Sequence, residues 1–119
     1  MAEQPTSSDL IASVQEETGN LIIAIKGEID LQSSPDLRVA MLGLLKKHNP
    51  KKLILNLSRV PYMDSSAIAV LVEMLKQMNS RGGKICLTAL QPRVKGLLEI
   101  VRLNTIFAIL DSDQEAISK

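Results

Sequence analysis

Three short, almost continuous apolar runs punctuate the sequence: Leu21-Ile22-Ile23-Ala24-Ile25, Leu53-Ile54-Leu55-Asn56-Leu57 and Ile85-Cys86-Leu87-Thr88-Ala89-Leu90. A strand with one wet face alternates apolar and polar residues, whereas a strand covered on both faces reads as a run. Between and after these runs, apolar residues recur at helical spacing. Interior strands alternating with helices define an α/β chain. Its later strands are parallel, its crossovers right-handed, and helices cover at least one sheet face.

The flanking segments supply the other elements. Leu10, Ala12 and Val14 alternate with more polar positions and Gly19-Asn20 is a turn signal, so a half-buried first strand pairs with the first run as a hairpin. Ser34-Pro35-Asp36 starts a helix: Ser34 can cap it, Pro35 suits its first position, and Asp36 favours the positive end of the dipole. Leu37, Met41, Leu44 and Leu45 form the apolar stripe, and Lys46-Lys47-His48 with Asn49-Pro50 ends it. Asp64-Ser65-Ser66 opens a second helix ending near Ser80. Ala67, Leu71, Met74 and Met78 face inward, with Glu73, Lys76, Gln77 and Ser80 on the wet side. Gly82-Gly83 turns into the third run. Pro92 opens a third helix with Val94, Leu97, Leu98 and Val101 on one face. Ile106 to Leu110 reads as a short last strand, and Asp111-Ser112 as the cap of a brief final helix. The expected order is ββαβαβα with a candidate βα tail. Residues 1–8 read as a disordered lead, and 9–119 as a single domain.

Composition narrows the function classes. At 119 residues the chain is one domain. Aromatics are only 2%, so the core is aliphatic and stacking platforms for single-stranded nucleic acid are lacking. A net charge of +1 offers no broad basic field, so no nucleic-acid partner is expected. A single cysteine precludes an internal disulfide and, with a single histidine, argues against a structural zinc. No apolar stretch approaches ~20 residues, and the polar start is no signal peptide. The expectation is a cytoplasmic protein without membrane insertion.

Catalytic options are few. His48 sits in a Lys-Lys-His helix end, where it reads as a solvated cation. Cys86 lies in an apolar run, where a free cysteine acts as a small hydrophobe. Gly82-Gly83 precedes a strand and so is no phosphate loop. Glu28, Asp30 and Asp64 are the notable carboxylates. Asp30 and Asp64 each follow a strand-like segment, which puts them at one sheet edge, where α/β sites collect. Without a nucleophile, histidine or phosphate loop beside them they make a weak metal or acid–base site. The cluster Lys46-Lys47 and Lys51-Lys52 reads as a solvated helix end. No enzyme activity, cofactor or metal is expected.

The informative stretch is Pro61 to Leu71. Asp64 or Ser65 caps the helix that follows. A serine at a helix N-terminus also suits phosphorylation, which adds about −1.5 to −2 charge beside free N–H groups. The fold tolerates that charge; a docked partner shaped for a neutral hydroxyl does not. Ile68, Val72 and Leu75 form a second apolar line. Either neighbouring helices cover it, or it is a docking patch.

This stretch resembles the bacterial anti-sigma-factor antagonists, the small single-domain proteins of the STAS family. Their pattern is a buried strand, an Asp-Ser-Ser/Thr-Gly-Leu-Gly turn and an apolar helix. Here it reads Leu53 to Leu57, a short loop, then Met63-Asp64-Ser65-Ser66-Ala67-Ile68-Ala69-Val70-Leu71. Gly27-Glu28-Ile29-Asp30 is similar to the family's Gly-Glu-Leu/Ile-Asp signature, and Gly82-Gly83 also matches. The resemblance spans about residues 10–110 and implies a STAS-type mixed sheet covered by helices.

The resemblance also implies a circuit. An anti-sigma-factor serine kinase of histidine-kinase-like ATPase fold phosphorylates Ser65, the serine directly after Asp64. The unphosphorylated chain binds that kinase and frees the sigma factor; the phosphorylated chain lets go, and a PP2C-type phosphatase restores it. Asp30 and Asp64 are then acidic neighbours and Ser66 the adjacent hydroxyl. Ala67, Ile68 and Val72 join Asp30, Asp64 and Ser66 on the expected partner-binding surface. Ala67 and Ala69 stand where the family has glycines. Alanine is penalised if the backbone needs positive φ or close approach, and favoured by up to about 1 kcal/mol each in regular helix. The alternative is a constitutive scaffold subunit of a lipid-transport or signalling complex, with Asp64-Ser65 only a helix cap.

Overall fold

The computed structural model describes residues 9–119; the expected lead, residues 1–8, lies outside the described residues. The elements are β1 (Ile11–Glu17), β2 (Asn20–Lys26), α1 (Ser34–His48), β3 (Lys52–Arg59), α2 (Ser65–Ser80), β4 (Lys84–Thr88), α3 (Pro92–Ile100), β5 (Ala108–Leu110) and α4 (Asp113–Ser118). A 3-10 turn, Leu103–Thr105, precedes β5. The strands lie in the sheet in chain order. β1 and β2 are antiparallel; every later neighbour is parallel. The expected mixed sheet and ββαβαβα order with a βα tail are what the chain forms. β3 is the central strand, as its continuous apolar run requires.

Successive side chains of a strand point to opposite faces. Leu21, Ile23, Ile25, Leu53, Leu55, Leu57, Ile85 and Leu87 bury against Leu37, Met41 and Leu45 of α1, Leu71, Met74 and Met78 of α2, and Val94 and Leu98 of α3. The intervening Ile22, Ile54 and Cys86 meet Ala116 and Ile117 of α4 on the other face. Asp113 fastens α4 there. Its Oδ2 accepts Asn56 Nδ2 at 3.0 Å and its Oδ1 accepts the hydroxyl of fully buried Thr88. The polar residues that interrupt the second and third runs thus have a partner. Cys86 is buried, which pushes its thiol up from the ordinary range.

Some details differ from expectation. β1 is exposed from Ser13 to Glu17 rather than alternately buried, because it is the sheet edge. Ser33, not Ser34, is the N-cap of α1, and Ser34 is buried. The Ser33 hydroxyl accepts the Asp30 N–H at 3.0 Å and donates to Glu28 O, so it holds the preceding loop. Val70 joins the buried residues of α2 because α1 packs on that flank. Val101 is the C-cap of α3 and remains 42% exposed. β4 stops at Thr88, since Ala89 turns left-handed at φ +57°.

Candidate functional site

Two loops run side by side at the carboxyl edge of the sheet, one after β2 and one after β3. Ile29 and Met63 form an isolated parallel bridge. The Ile29 N–H donates to Tyr62 O at 3.1 Å, and the Asp64 N–H to Ile29 O at 3.1 Å. This pairing brings Asp30 and Asp64 to one edge.

Both carboxylates are engaged: Asp30 by its own loop, and Asp64 by the start of α2 and by the loop after β2. Asp64 Oδ1 accepts the Ser66 N–H at 2.9 Å and the Ser66 hydroxyl at 2.5 Å, while Oδ2 accepts the Leu31 N–H at 3.2 Å. The Ser66 hydroxyl above all holds the Asp64 carboxyl below its usual range. Partial desolvation opposes it, and the backbone donors of Ser66, Leu31 and Ala67 add to it. Asp30 Oδ1 accepts the Gln32 and Ser33 N–H groups at 3.0 Å each. No group of three or more His, Cys, Asp and Glu side chains able to hold a metal occurs among the described residues.

The two adjacent serines are unlike. Ser65 is the first residue of α2, exposed, and its hydroxyl has no hydrogen bond among the described residues. Ser66 is half-buried and locked onto Asp64. The helix end is also more occupied than a bare N-terminus. The Ala67 and Ile68 N–H groups donate to Asp64 O at 3.1 and 3.3 Å, and the Ser66 N–H to Asp64 Oδ1. Among the described residues the Ser65 N–H is the one of these four without an acceptor. A phosphate on Ser65 therefore meets one free donor and the helix dipole, not the several donors of an uncapped end.

Packing sorts the remaining candidates. Ala67 is 1% exposed and belongs to the main core, so its side chain faces inward. Helical spacing explains this, because Ala67 lines up with Leu71, Met74 and Met78. Ile68 and Leu75 are half-buried against the same core, so neighbours cover that flank. Val72 is half-buried and shares a shallow outward depression with Ala69 and Lys76. Ser65, Ala69 and Val72 thus follow one another at four- and three-residue steps along one face of α2. Ala67 and Ala69 sit in regular helix, without positive φ, which decides in favour of alanine as a helix stabiliser.

Hollows flank this ridge. One, of about 380 Å³, lies between α1 and α2 and is lined by Val39, Ser66 and Ala69. The Arg38 guanidinium bridges its wall, with Nε and Nη2 on the two Glu73 carboxylate oxygens at 2.5 and 2.9 Å. The other, of about 450 Å³, lies between Tyr62-Met63-Asp64 and α3. Arg93 stands over the Tyr62 ring there at 5.2 Å, and Ile100 is 80% exposed. Leu31 is 75% exposed in the loop that donates to Asp64. Leu31, Val39 and Ile100 carry no distinguishing signal in the sequence. Each is one more apolar residue until packing decides which ones stay outside.

The STAS domain family matches residues 12–116, and the chain belongs to that family. The chain is 27% identical over 111 residues to the anti-sigma F factor antagonist of Paenibacillus polymyxa, across 93% of this chain and 95% of that one. It is 31% identical over 96 residues to the anti-sigma-B factor antagonist of Bacillus subtilis strain 168, across 81% of this chain and 86% of that one. The structure of the anti-sigma factor antagonist SpoIIAA in its unphosphorylated form aligns with TM-score 0.76 at 20% identity, covering 88% of this chain and 91% of that one. The phosphorylated form of this Bacillus protein aligns with TM-score 0.69 at 19% identity, covering 89% and 96%. No helix among the described residues is long and apolar enough to cross a membrane.

Proposed function

We propose that this chain is an anti-sigma-factor antagonist in a partner-switching circuit, its domain spanning residues 9–119. Unphosphorylated, it binds an anti-sigma serine kinase of histidine-kinase-like ATPase fold. Phosphorylation of Ser65 releases it, and a PP2C-type phosphatase resets it. The observation that carries this reading is the contrast at the start of α2: an exposed, unengaged Ser65 hydroxyl between Asp64 and Ser66, which are locked to each other. The names of its relatives, antagonists of anti-sigma F and anti-sigma-B factors, support it.

The chemistry is done to the chain. A phosphoryl group passes from ATP to Ser65 Oγ; the new O–P bond replaces the bridging P–O bond of ATP, and the hydroxyl proton leaves. Asp64, held ionised and engaged by Ser66 and Leu31, is poorly placed as the base, so the kinase supplies it. The docking ridge is Ser65, Ala69 and Val72, with Asp30, Asp64, Ser66 and Ile68 at its margins. A phosphate at the head of that ridge brings about −1.5 to −2 charge into a surface fitted to a hydroxyl. A loss of ~2 kcal/mol is about thirtyfold in affinity.

Incubation with the cognate kinase and ATP is expected to add the mass of one phosphate, lost in Ser65→Ala and kept in Ser66→Ala. Ser65→Ala is expected to bind the kinase constitutively and Ser65→Asp to imitate release. No modification, or modification elsewhere, overturns the reading and leaves the scaffold alternative.

A further inference from the structure

A separate recess lies at the amino end of the parallel strands, away from Ser65. β5 is too short to cover β4: their pairing begins at Cys86, which leaves Lys84 and Ile85 without a β5 partner. The gap opens a cleft of about 370 Å³, within the ~300–1,000 Å³ typical of small-molecule sites. Its apolar side is formed by Leu75, Ile85, Cys86 and Ile106, the last 51% exposed, with Asn79 beside them. Its rim carries Lys52, Lys84 and Lys119, and among the described residues no acidic side chain lines it. Lys52 donates one proton to Ala116 O at 2.7 Å. An ammonium has three, so the other two remain available.

The chemistry of the cleft selects its occupant. Cations with no acidic side chain beside them favour an anion. A bare inorganic anion leaves the aliphatic floor unused, and a neutral apolar molecule leaves the ammonium groups without a counter-charge. A base or nucleotide finds no aromatic face to stack on. We propose that this cleft binds a small amphiphilic anion, with a compact apolar body against Leu75 and Ile106 and a carboxylate or phosphate head among Lys52, Lys84 and Lys119. The site lies away from Ser65, and α2, which runs from Ser65 past Leu75, touches both.

The test is an amide NMR titration of the full chain with decanoate below its micellar concentration, with decanol and inorganic phosphate as comparison ligands. Saturable shifts at Lys84, Ile85, Ile106 and Ala108 are expected, together with slower alkylation of Cys86. Decanol and phosphate are each expected to bind at least roughly tenfold more weakly. Lys84→Glu is expected to weaken decanoate roughly tenfold, and Ile106→Asp to abolish its binding. Both residues are exposed, so a native spectrum is expected from each variant. If Lys84→Glu disturbs the fold, Lys119→Glu carries the same expectation. Scattered or unsaturable shifts, decanol or phosphate binding as tightly as decanoate, or lysine variants without effect overturn the proposal. None of these readouts involves Ser65 or a kinase, so failure here is separable from failure of the proposed function.

Discussion

Asp64 Oδ2 accepts the Leu31 N–H at 3.2 Å, so the residue that caps α2 also fastens the loop following β2. The cap therefore links two elements whose pairing builds the carboxyl edge. Asp64→Ala is expected to lower the melting temperature and to loosen Leu31, seen as faster amide exchange there. Asp64→Asn, which can still accept from the Ser66 N–H, is expected to lose less. Its pH dependence has a fixed sign. The native carboxyl lies below its ordinary value of 3.8, so its stabilisation is present above that pH and is lost as pH falls through the lower native value. Ser66→Ala removes the largest cause of the shift, and carboxyl NMR should then find Asp64 titrating closer to 3.8.

Ala69 stands in the exposed interior of α2, in regular helix, where a glycine is conformationally costly. Ala69→Gly is expected to destabilise the chain by about 1 kcal/mol in urea unfolding. A stabilising effect instead would mean that the backbone there is strained by the methyl group.

The elements that local signals announce were readable from the chain alone. Each interior run, the Gly19-Asn20 hairpin turn, the Pro35 and Pro92 helix starts and the Ser112 cap are written within a few residues of one another. Ser65 at the head of α2 is legible for the same reason. What depended on distant partners was not. Thr88 and Asn56 meet Asp113 across 25 and 57 residues, and nothing in their neighbourhoods says so. Val70 is buried on the flank of α2 that faces α1. Ile68 and Val72 look equivalent along the apolar line, and Ala67 looks close enough to Ser65 to touch a partner. Only the packing of α2 turns Ala67 fully inward, seats Ile68 on the core and leaves Val72 facing out.

That difference between Ile68 and Val72 is measurable. Val72→Asp is expected to abolish kinase binding while changing stability by less than about 1 kcal/mol, as for a surface substitution. Ile68→Asp places a charge against the core and is expected to lower the melting temperature strongly. Equal thermal losses in the two variants would show that Val72 is a packing residue and not part of the docking ridge.

Asp113 is the tie that holds α4 on the second face of the sheet, through Asn56 Nδ2 and the Thr88 hydroxyl. Asp113→Ala leaves the buried Thr88 hydroxyl without its acceptor, a loss of about 1–3 kcal/mol. The damage is local, because the large core beneath α1, α2 and α3 does not include α4. Cys86 packs with Ala116 under that helix, so its thiol reports the loosening directly. Alkylation of Cys86 is expected to accelerate in Asp113→Ala well below the melting temperature, while amide exchange in α1 and α2 stays slow. Restoring one hydrogen bond with Asp113→Asn should recover part of the protection. Cys86 reactivity unchanged by Asp113→Ala would mean that apolar contacts of Ala116 and Ile117 hold α4 in place without the Asp113 tie.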